Sequence, residues 1–81
     1  MATLQEILVA NLRRQAKRHG WSINRTADAA GVSRSGLSNI MRGLKSPSLA
    51  TVEKLALAFE IPALELLQPD QPAKRQPLSR D

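Results

Sequence analysis

Apolar residues recur along the chain at intervals of three and four, the periodicity of one face of an α-helix. Glycine, proline and serine interrupt this pattern repeatedly, and no alternating pattern typical of a β-strand stands out. The interruptions divide residues 3–67 into five segments. The sequence therefore predicts an all-α fold of five short helices.

Capping signals give the ends of these helices. Thr3 and Glu6 have the spacing of a capping box, which predicts a first helix from there to about Arg18, with Gly20 ending it. Serine N-caps then predict helices from Ser22 to Ala30, from Ser33 to about Arg42 and from Ser48 to about Phe59, and Pro62 precedes a last one from roughly Ala63 to Leu67.

Each helix has a predicted inner face. These faces consist of Leu4, Ile7, Leu8, Leu12 and Ala16; Ile23, Thr26, Ala27 and Ala30; Leu37, Ile40 and Met41; and Val52, Leu55, Ala56 and Phe59, with Leu49 beside them. Trp21 is expected to pack at the start of the second helix, and His19 to interact with the end of the first. Four further leucines are more than the last turns can hide, and they predict a partner surface: Leu57, Leu64, Leu66 and Leu67.

The 81 residues allow one small domain, predicted to be compact over residues 1–67. Residues 68–81 contain three prolines and few apolar residues, which predicts a disordered, flexible tail or linker. We expect a cytoplasmic protein without a membrane partner, since no signal-peptide pattern or long apolar run is present.

Positive charge is concentrated in the middle of the chain. Twelve Lys and Arg against seven Asp and Glu give a net charge of +5, which favours an anionic partner. Eight of the twelve cations lie between Arg13 and Lys45, where Asp28 is the only acid. The middle of the chain is thus the predicted contact surface.

Composition also excludes several kinds of chemistry. The chain has no cysteine and a single histidine, so we expect no disulfide, metal site or cofactor. The glutamates lie at unrelated helical positions and no glycine-rich phosphate loop is present, so we expect no enzyme activity. With two aromatic residues, the chain lacks a stacking surface for single-stranded nucleic acid.

The strongest motif is a pair of helices joined by three residues. Residues 22–42 consist of a helix to Ala30, the turn Gly31-Val32-Ser33 and a second helix, which is the pattern of a helix-turn-helix. The exposed face of the helix that follows the turn, residues 34–42, is polar and basic. A helix of this kind fits the major groove of duplex DNA, which is about 12 Å wide.

Residues 4–67 resemble the Cro/C1-type, lambda repressor-like helix-turn-helix domains of phages and bacteria. The resemblance is clearest over residues 26–43, especially in Arg34-Ser35-Gly36-Leu37 and Arg42-Gly43, and it extends to Ser46-Pro47-Ser48-Leu49 and to Leu55-Ala56 with Phe59. It implies a transcriptional regulator, expected to be a repressor, that places its third helix in the major groove.

Three positions depart from the family pattern. Ile23 replaces a glutamine that contacts a phosphate in many members, and Asn24 or Arg25 is a candidate substitute. Thr26 stands where a larger apolar residue is usual. Ala16 and Met41 replace an ion pair found in some members, and an apolar pair there need not weaken the fold.

Face and family position together give the candidate site residues. The base-contact candidates are Arg34, Ser35, Ser38 and Asn39. The phosphate-contact candidates are Ser22, Asn24, Arg25, Arg42, Lys45 and Ser46. One helix contacts too few bases for a unique genomic site, so we expect a homodimer on a palindromic operator, with Leu57, Leu64, Leu66 and Leu67 at the interface.

One alternative stays open. A helix-turn-helix fold can also serve as a protein-interaction module, for example an antitoxin that binds a toxin, and the extra leucines would then contact that partner. The proline-rich end could also lead to a further, C-terminal domain.

Overall fold

The computed structural model describes residues 2–69, which form five α-helices and no β-strand. The helices are α1 (Leu4–His19), α2 (Ile23–Ala30), α3 (Arg34–Met41), α4 (Leu49–Phe59) and α5 (Ala63–Leu66). This confirms the predicted all-α fold, and no helix end differs from its predicted position by more than one residue. Most of the predicted tail, from residue 70 onward, lies outside the described residues.

Side-chain caps begin four of the helices. At α1, the Thr3 hydroxyl accepts a hydrogen bond from the Glu6 N–H, and the Glu6 carboxylate accepts one from the Thr3 N–H. The hydroxyls of Ser22, Ser33 and Ser48 each accept a hydrogen bond from the N–H three residues later. Each of these serines therefore has a structural role, since its hydroxyl satisfies an N–H of the first turn that has no partner within the helix.

The core lies where α2 packs against α3 and α4, and where α5 packs against α4 and α1. Its largest fully buried apolar side chains are Leu8, Leu12, Leu37, Leu55 and Leu66. Ala27 is also fully buried, and Thr26 beside it donates its hydroxyl to the main-chain oxygen of Ser22 at 2.8 Å. This bond accounts for a polar residue at a family position that is usually apolar.

Two polar residues of α1 are also buried, which the apolar pattern did not predict. Asn11 lies under α5, and its side-chain amide donates hydrogen bonds to the main-chain oxygens of Glu65 (3.2 Å), Leu66 (2.7 Å) and Gln68 (2.7 Å). Gln15, one turn later, is the second. Asn11 therefore anchors the end of α5, where helical carbonyls lack partners.

Three rings pack together next to the core. Trp21 stacks on Phe59 with 5.4 Å between ring centroids, and the rings of His19 and Trp21 form a T-shaped contact with 4.7 Å between centroids. The packing predicted for Trp21 is confirmed. His19 is in the last turn of α1, as predicted, but its ring contacts are aromatic.

Two residues predicted on or beside the inner faces, Leu4 and Leu49, are exposed. Leu4 is in the first turn of α1 and 59% of its surface remains accessible. It lines the mouth of an apolar groove together with Leu49, while the buried residues Leu8 and Val52 lie deeper. The prediction was wrong at Leu4 because periodicity gives the direction of a residue but not the point at which the core ends.

Candidate nucleic-acid interface

The turn between α2 and α3 is fixed by backbone geometry and by hydrogen bonds. Gly31 has φ +73°, a left-handed conformation that costs a residue with a Cβ about 1–2 kcal/mol. The Val32 N–H donates to the main-chain oxygen of Ala27 at 3.0 Å, and Val32 packs against the core. The Ser33 hydroxyl accepts a hydrogen bond from the Gly36 N–H at 2.9 Å and so caps the N-terminus of α3. The orientation of α3 relative to α2 is therefore well determined.

One face of α3 is buried and the other is accessible. Leu37, Ile40 and Met41 point into the protein. The four base-contact candidates lie away from that face: Arg34 and Ser35 are exposed, and Ser38 and Asn39 are partly accessible. Together they form one polar surface on an eight-residue helix.

Arg34 is the charged member of this surface, and it is already paired. Its Nε donates to Oδ1 of Asp28 at 3.0 Å, and its Nη2 donates to Oδ2 at 2.6 Å. The hydrogen bonds from the Arg34 guanidinium hold the pKa of the Asp28 carboxyl below its ordinary value, and the same bonds to Asp28 raise the pKa of Arg34. Asp28 belongs to α2, so the pair spans the turn.

The phosphate-contact candidates fall into two groups. Ser22, Asn24 and Arg25 surround the N-terminus of α2, where the Ser22 hydroxyl caps the helix and the Arg25 guanidinium lies 5.8 Å from the centre of the Trp21 ring. Arg42, Lys45 and Ser46 are exposed in the segment that follows α3. The two groups therefore lie near the start of α2 and beyond the end of α3.

A residue outside the predicted site fixes the segment after α3. The side-chain amide of Gln5, in α1, donates to the main-chain oxygens of Ile40 (3.2 Å) and Lys45 (2.7 Å). Its oxygen accepts a hydrogen bond from the Ser46 hydroxyl at 3.3 Å. Gln5 thus holds Lys45 and Ser46 against the end of α3. Local sequence contains no signal for contacts across some 40 residues.

The predicted interface leucines do not all reach the surface. Leu57 and Leu64 are 77% and 69% exposed, on α4 and α5. Leu66 is 0% exposed and Leu67 is partly buried against the core. Leu66 is therefore a correction to the predicted partner surface: α5 packs on α1 and α4, and Leu66 is fully buried in the core that these helices share.

The described residues contain neither a metal-ligand cluster nor a helix that could cross a membrane. Residues 2–69 contain no group of three or more His, Cys, Asp or Glu that could hold a metal ion. None of the described helices has the length and apolar character needed to cross a bilayer.

Two helices joined by a glycine turn, with the second presenting a polar face, define the helix-turn-helix class. The family model for helix-turn-helix proteins of the Cro/C1 type (HTH_3) matches residues 12–66. The chain belongs to this family, whose members are DNA-binding transcriptional regulators.

Individual proteins that are similar to this chain in sequence or structure support its assignment to this family. The chain is 36% identical over 73 residues to the HTH-type transcriptional regulator SutR of Escherichia coli (strain K12), covering 90% of this chain and 41% of that protein. It thus spans less than half the length of this relative. It is similar in structure to the hypothetical transcription factor NHTF from Neisseria, with TM-score 0.79, 31% identity and coverage of 83% of this chain and 77% of that one.

A second solved structure is an HTH_3 family transcriptional regulator from Vibrio cholerae. It matches with TM-score 0.71 and 32% identity, over 78% of this chain and 35% of that one. The relatives are named as transcription factors or regulators, not as enzymes.

Proposed function

We propose that this chain binds duplex DNA in a sequence-specific manner, with α3 in the major groove, and that it represses transcription by occupying its operator. The observation that supports this most directly is the polar face of α3, held at a fixed angle by the Gly31 turn. Eight residues of helix are about 12 Å long and a helix with its side chains is about 10–12 Å across, which matches the groove.

Two side chains are proposed to provide most of the base recognition. Arg34 can donate two hydrogen bonds to guanine O6 and N7, and Asn39 can pair in the same bidentate way with adenine N6 and N7. Ser35 and Ser38 are proposed as additional base contacts, although a hydroxyl discriminates poorly between bases. All four lie on the accessible side of α3.

The phosphate contacts are proposed to fix the domain on the duplex without specifying sequence. Arg25, Arg42 and Lys45 would contribute charge, while Ser22, Asn24 and Ser46 would contribute hydrogen bonds. The hydrogen bonds of Gln5 support this, because they hold Lys45 and Ser46 beside the end of α3.

We also propose that the active form is a homodimer on a palindrome, with half-sites about 34 Å apart. Leu57 and Leu64 are the proposed interface, because both are exposed and lie on helices that pack against each other. Leu67, which is only partly buried, is proposed at the edge of this surface. A DNA-binding repressor of this kind would act in the cytoplasm.

The test of DNA binding is selection of bound duplexes from a random pool, followed by a salt titration on the selected site. The three proposed phosphate-binding cations give six in a dimer, so log K should fall with log[salt] with a slope of about −5. A palindromic consensus supports the proposal. The absence of duplex binding at low salt would refute it and favour the second candidate function, a protein-interaction module such as an antitoxin.

The dimer has a separate test with a matched control. Replacing Leu57 and Leu64 by Ser should lower both the mass measured by sedimentation and the operator affinity. Leu49→Ser is the control, because Leu49 is as exposed as Leu57 but lies at the other end of α4. If the double variant keeps the wild-type mass and affinity, the proposed interface is wrong.

A further inference from the structure

Asp28 is an acid in an otherwise basic part of the chain. Between Arg13 and Lys45 it is the only Asp or Glu. A carboxylate there repels phosphate, so it lowers the general attraction of this surface for nucleic acid. The pairing of Asp28 with Arg34, the first residue of α3, therefore needs an explanation other than attraction of nucleic acid.

Stability does not provide that explanation. The side chains of Arg34 and Asp28 are 60% and 50% exposed, and exposed ion pairs add little to the stability of a fold. The connection between α2 and α3 is already made by the Gly31 turn, the Ser33 cap and the buried side chains Ala27 and Leu37. The pair is thus not needed to hold the two helices together.

The geometry of the pair suggests a role in recognition. A guanidinium has five N–H donors arranged along two usable edges. Asp28 takes the side edge, formed by Nε and one proton of Nη2. The end edge, formed by Nη1 and the second proton of Nη2, is the one that this pairing leaves available. Two donors on one edge are what guanine O6 and N7 accept.

We infer that Asp28 is a specificity-determining residue, which orients Arg34 so that its end edge meets guanine and which keeps Arg34 from binding phosphate instead. The inference rests on the proposed function. Asp28 acts in two ways: it fixes the rotamer of a flexible side chain before binding, and its charge penalises a register that brings a phosphate close to it. Specificity gains from both, since each one disfavours unrelated sequences.

The test compares Asp28→Asn with wild type on DNA selected by wild type from a random duplex pool. Affinities are measured for that duplex, for the same duplex with each G·C pair changed in turn, and for an unrelated duplex. Asp28→Asn should bind the unrelated duplex more tightly and lose discrimination at one guanine by about 5- to 150-fold, the value of one bidentate contact. Far-UV circular dichroism checks that the variant is folded, and Asp28→Ala repeats the measurement.

Two controls separate orientation from charge. Glu53→Gln removes an equal charge from an exposed carboxylate of α4, and it should leave base preference unchanged. In an Arg34→Ala background, Asp28→Asn should no longer alter preference at that guanine, because the side chain it orients is absent.

The outcomes distinguish this inference from the function on which it rests. If wild type selects a site and Asp28→Asn keeps the same discrimination at every base pair, the inference is overturned and the proposed function stands. If Asp28→Asn and Glu53→Gln change all affinities equally, the carboxylate acts only as a charge and the inference is again overturned. If wild type binds no duplex, both fail.

Discussion

The hydrogen bonds of Asn11 predict a large loss of stability when this side chain is replaced. Its amide donates to three main-chain oxygens at the end of α5, and only the bond to Leu66 lies in a fully buried environment. In Asn11→Ala the Leu66 carbonyl loses this donor in a buried environment with little access to water, which costs about 1–3 kcal/mol. The other two carbonyls can turn partly to water, and their lost bonds add about 0.5–1.5 kcal/mol together.

The expected decrease in the free energy of unfolding is therefore about 1.5–4.5 kcal/mol. A chain of 81 residues has a total of roughly 4–12 kcal/mol, so the loss is a considerable part of it. For a domain of this size, each 1 kcal/mol lowers Tm by about 4–8 °C.

Urea unfolding followed by the fluorescence of Trp21 measures this loss, because Trp21 is the only tryptophan and packs on Phe59. Asn11→Leu separates hydrogen bonding from packing: it restores the lost volume but provides no donor, so it should be about as unstable as the alanine variant. Asn24→Ala, at an exposed position of α2, is the control and should lie within about 0.5 kcal/mol of wild type. If Asn11→Leu is as stable as wild type, the carbonyls do not depend on this amide.

Three further predictions concern the candidate nucleic-acid interface. Gln5→Ala should lower the free energy of unfolding by about 0.5–1.5 kcal/mol and speed amide exchange around Lys45, where unchanged exchange would refute the role of Gln5. Gly31→Ala should cost about 1–2 kcal/mol from backbone strain alone, since no atom lies within 4 Å of an added Cβ; calorimetry showing no loss would contradict this. The carboxyl pKa of Asp28, followed by NMR, should lie below its ordinary value and rise in Arg34→Ala, and equal midpoints in the two proteins would exclude the pair in solution. Because the pKa is lowered in the folded state, the small stabilising contribution of the pair is present at neutral pH and is lost as the pH falls through that pKa.

Local signals in the sequence were sufficient for the helices and the turn. Thr3 and the serine caps bond to groups three residues away, and the glycines that end α1 and α2 also act locally. The helix ends that these residues set therefore depend little on the rest of the fold. The apolar spacing likewise identified most of the core, because α2, α3 and α4 are long enough for periodicity to define a face.

Contacts between distant segments could not be predicted in this way. Gln5 meets Lys45 across 40 positions and Asn11 meets Leu66 across 55, and nothing in the local sequence distinguishes these polar residues from solvated ones. α5 has four residues, too few for a periodic pattern, so the sequence does not distinguish the buried Leu66 from the exposed Leu64. The pair of Asp28 and Arg34 depends on the angle between two helices, which the turn sequence suggests only qualitatively.

The small size of α3 connects base recognition with assembly. Its accessible face offers four side chains, of which two are serines that discriminate poorly between bases, so one proposed half-site is defined mainly by Arg34 and Asn39. Two bidentate contacts distinguish only a few base pairs, and a genome contains very many such sites. In the proposed dimer the same contacts are used twice at a fixed separation, which multiplies the discrimination without requiring a larger helix. The proposed leucine interface on α4 and α5 and the proposed orientation of Arg34 on α3 would serve the same purpose, because a helix this short would need both a precise contact and a second copy to define an operator.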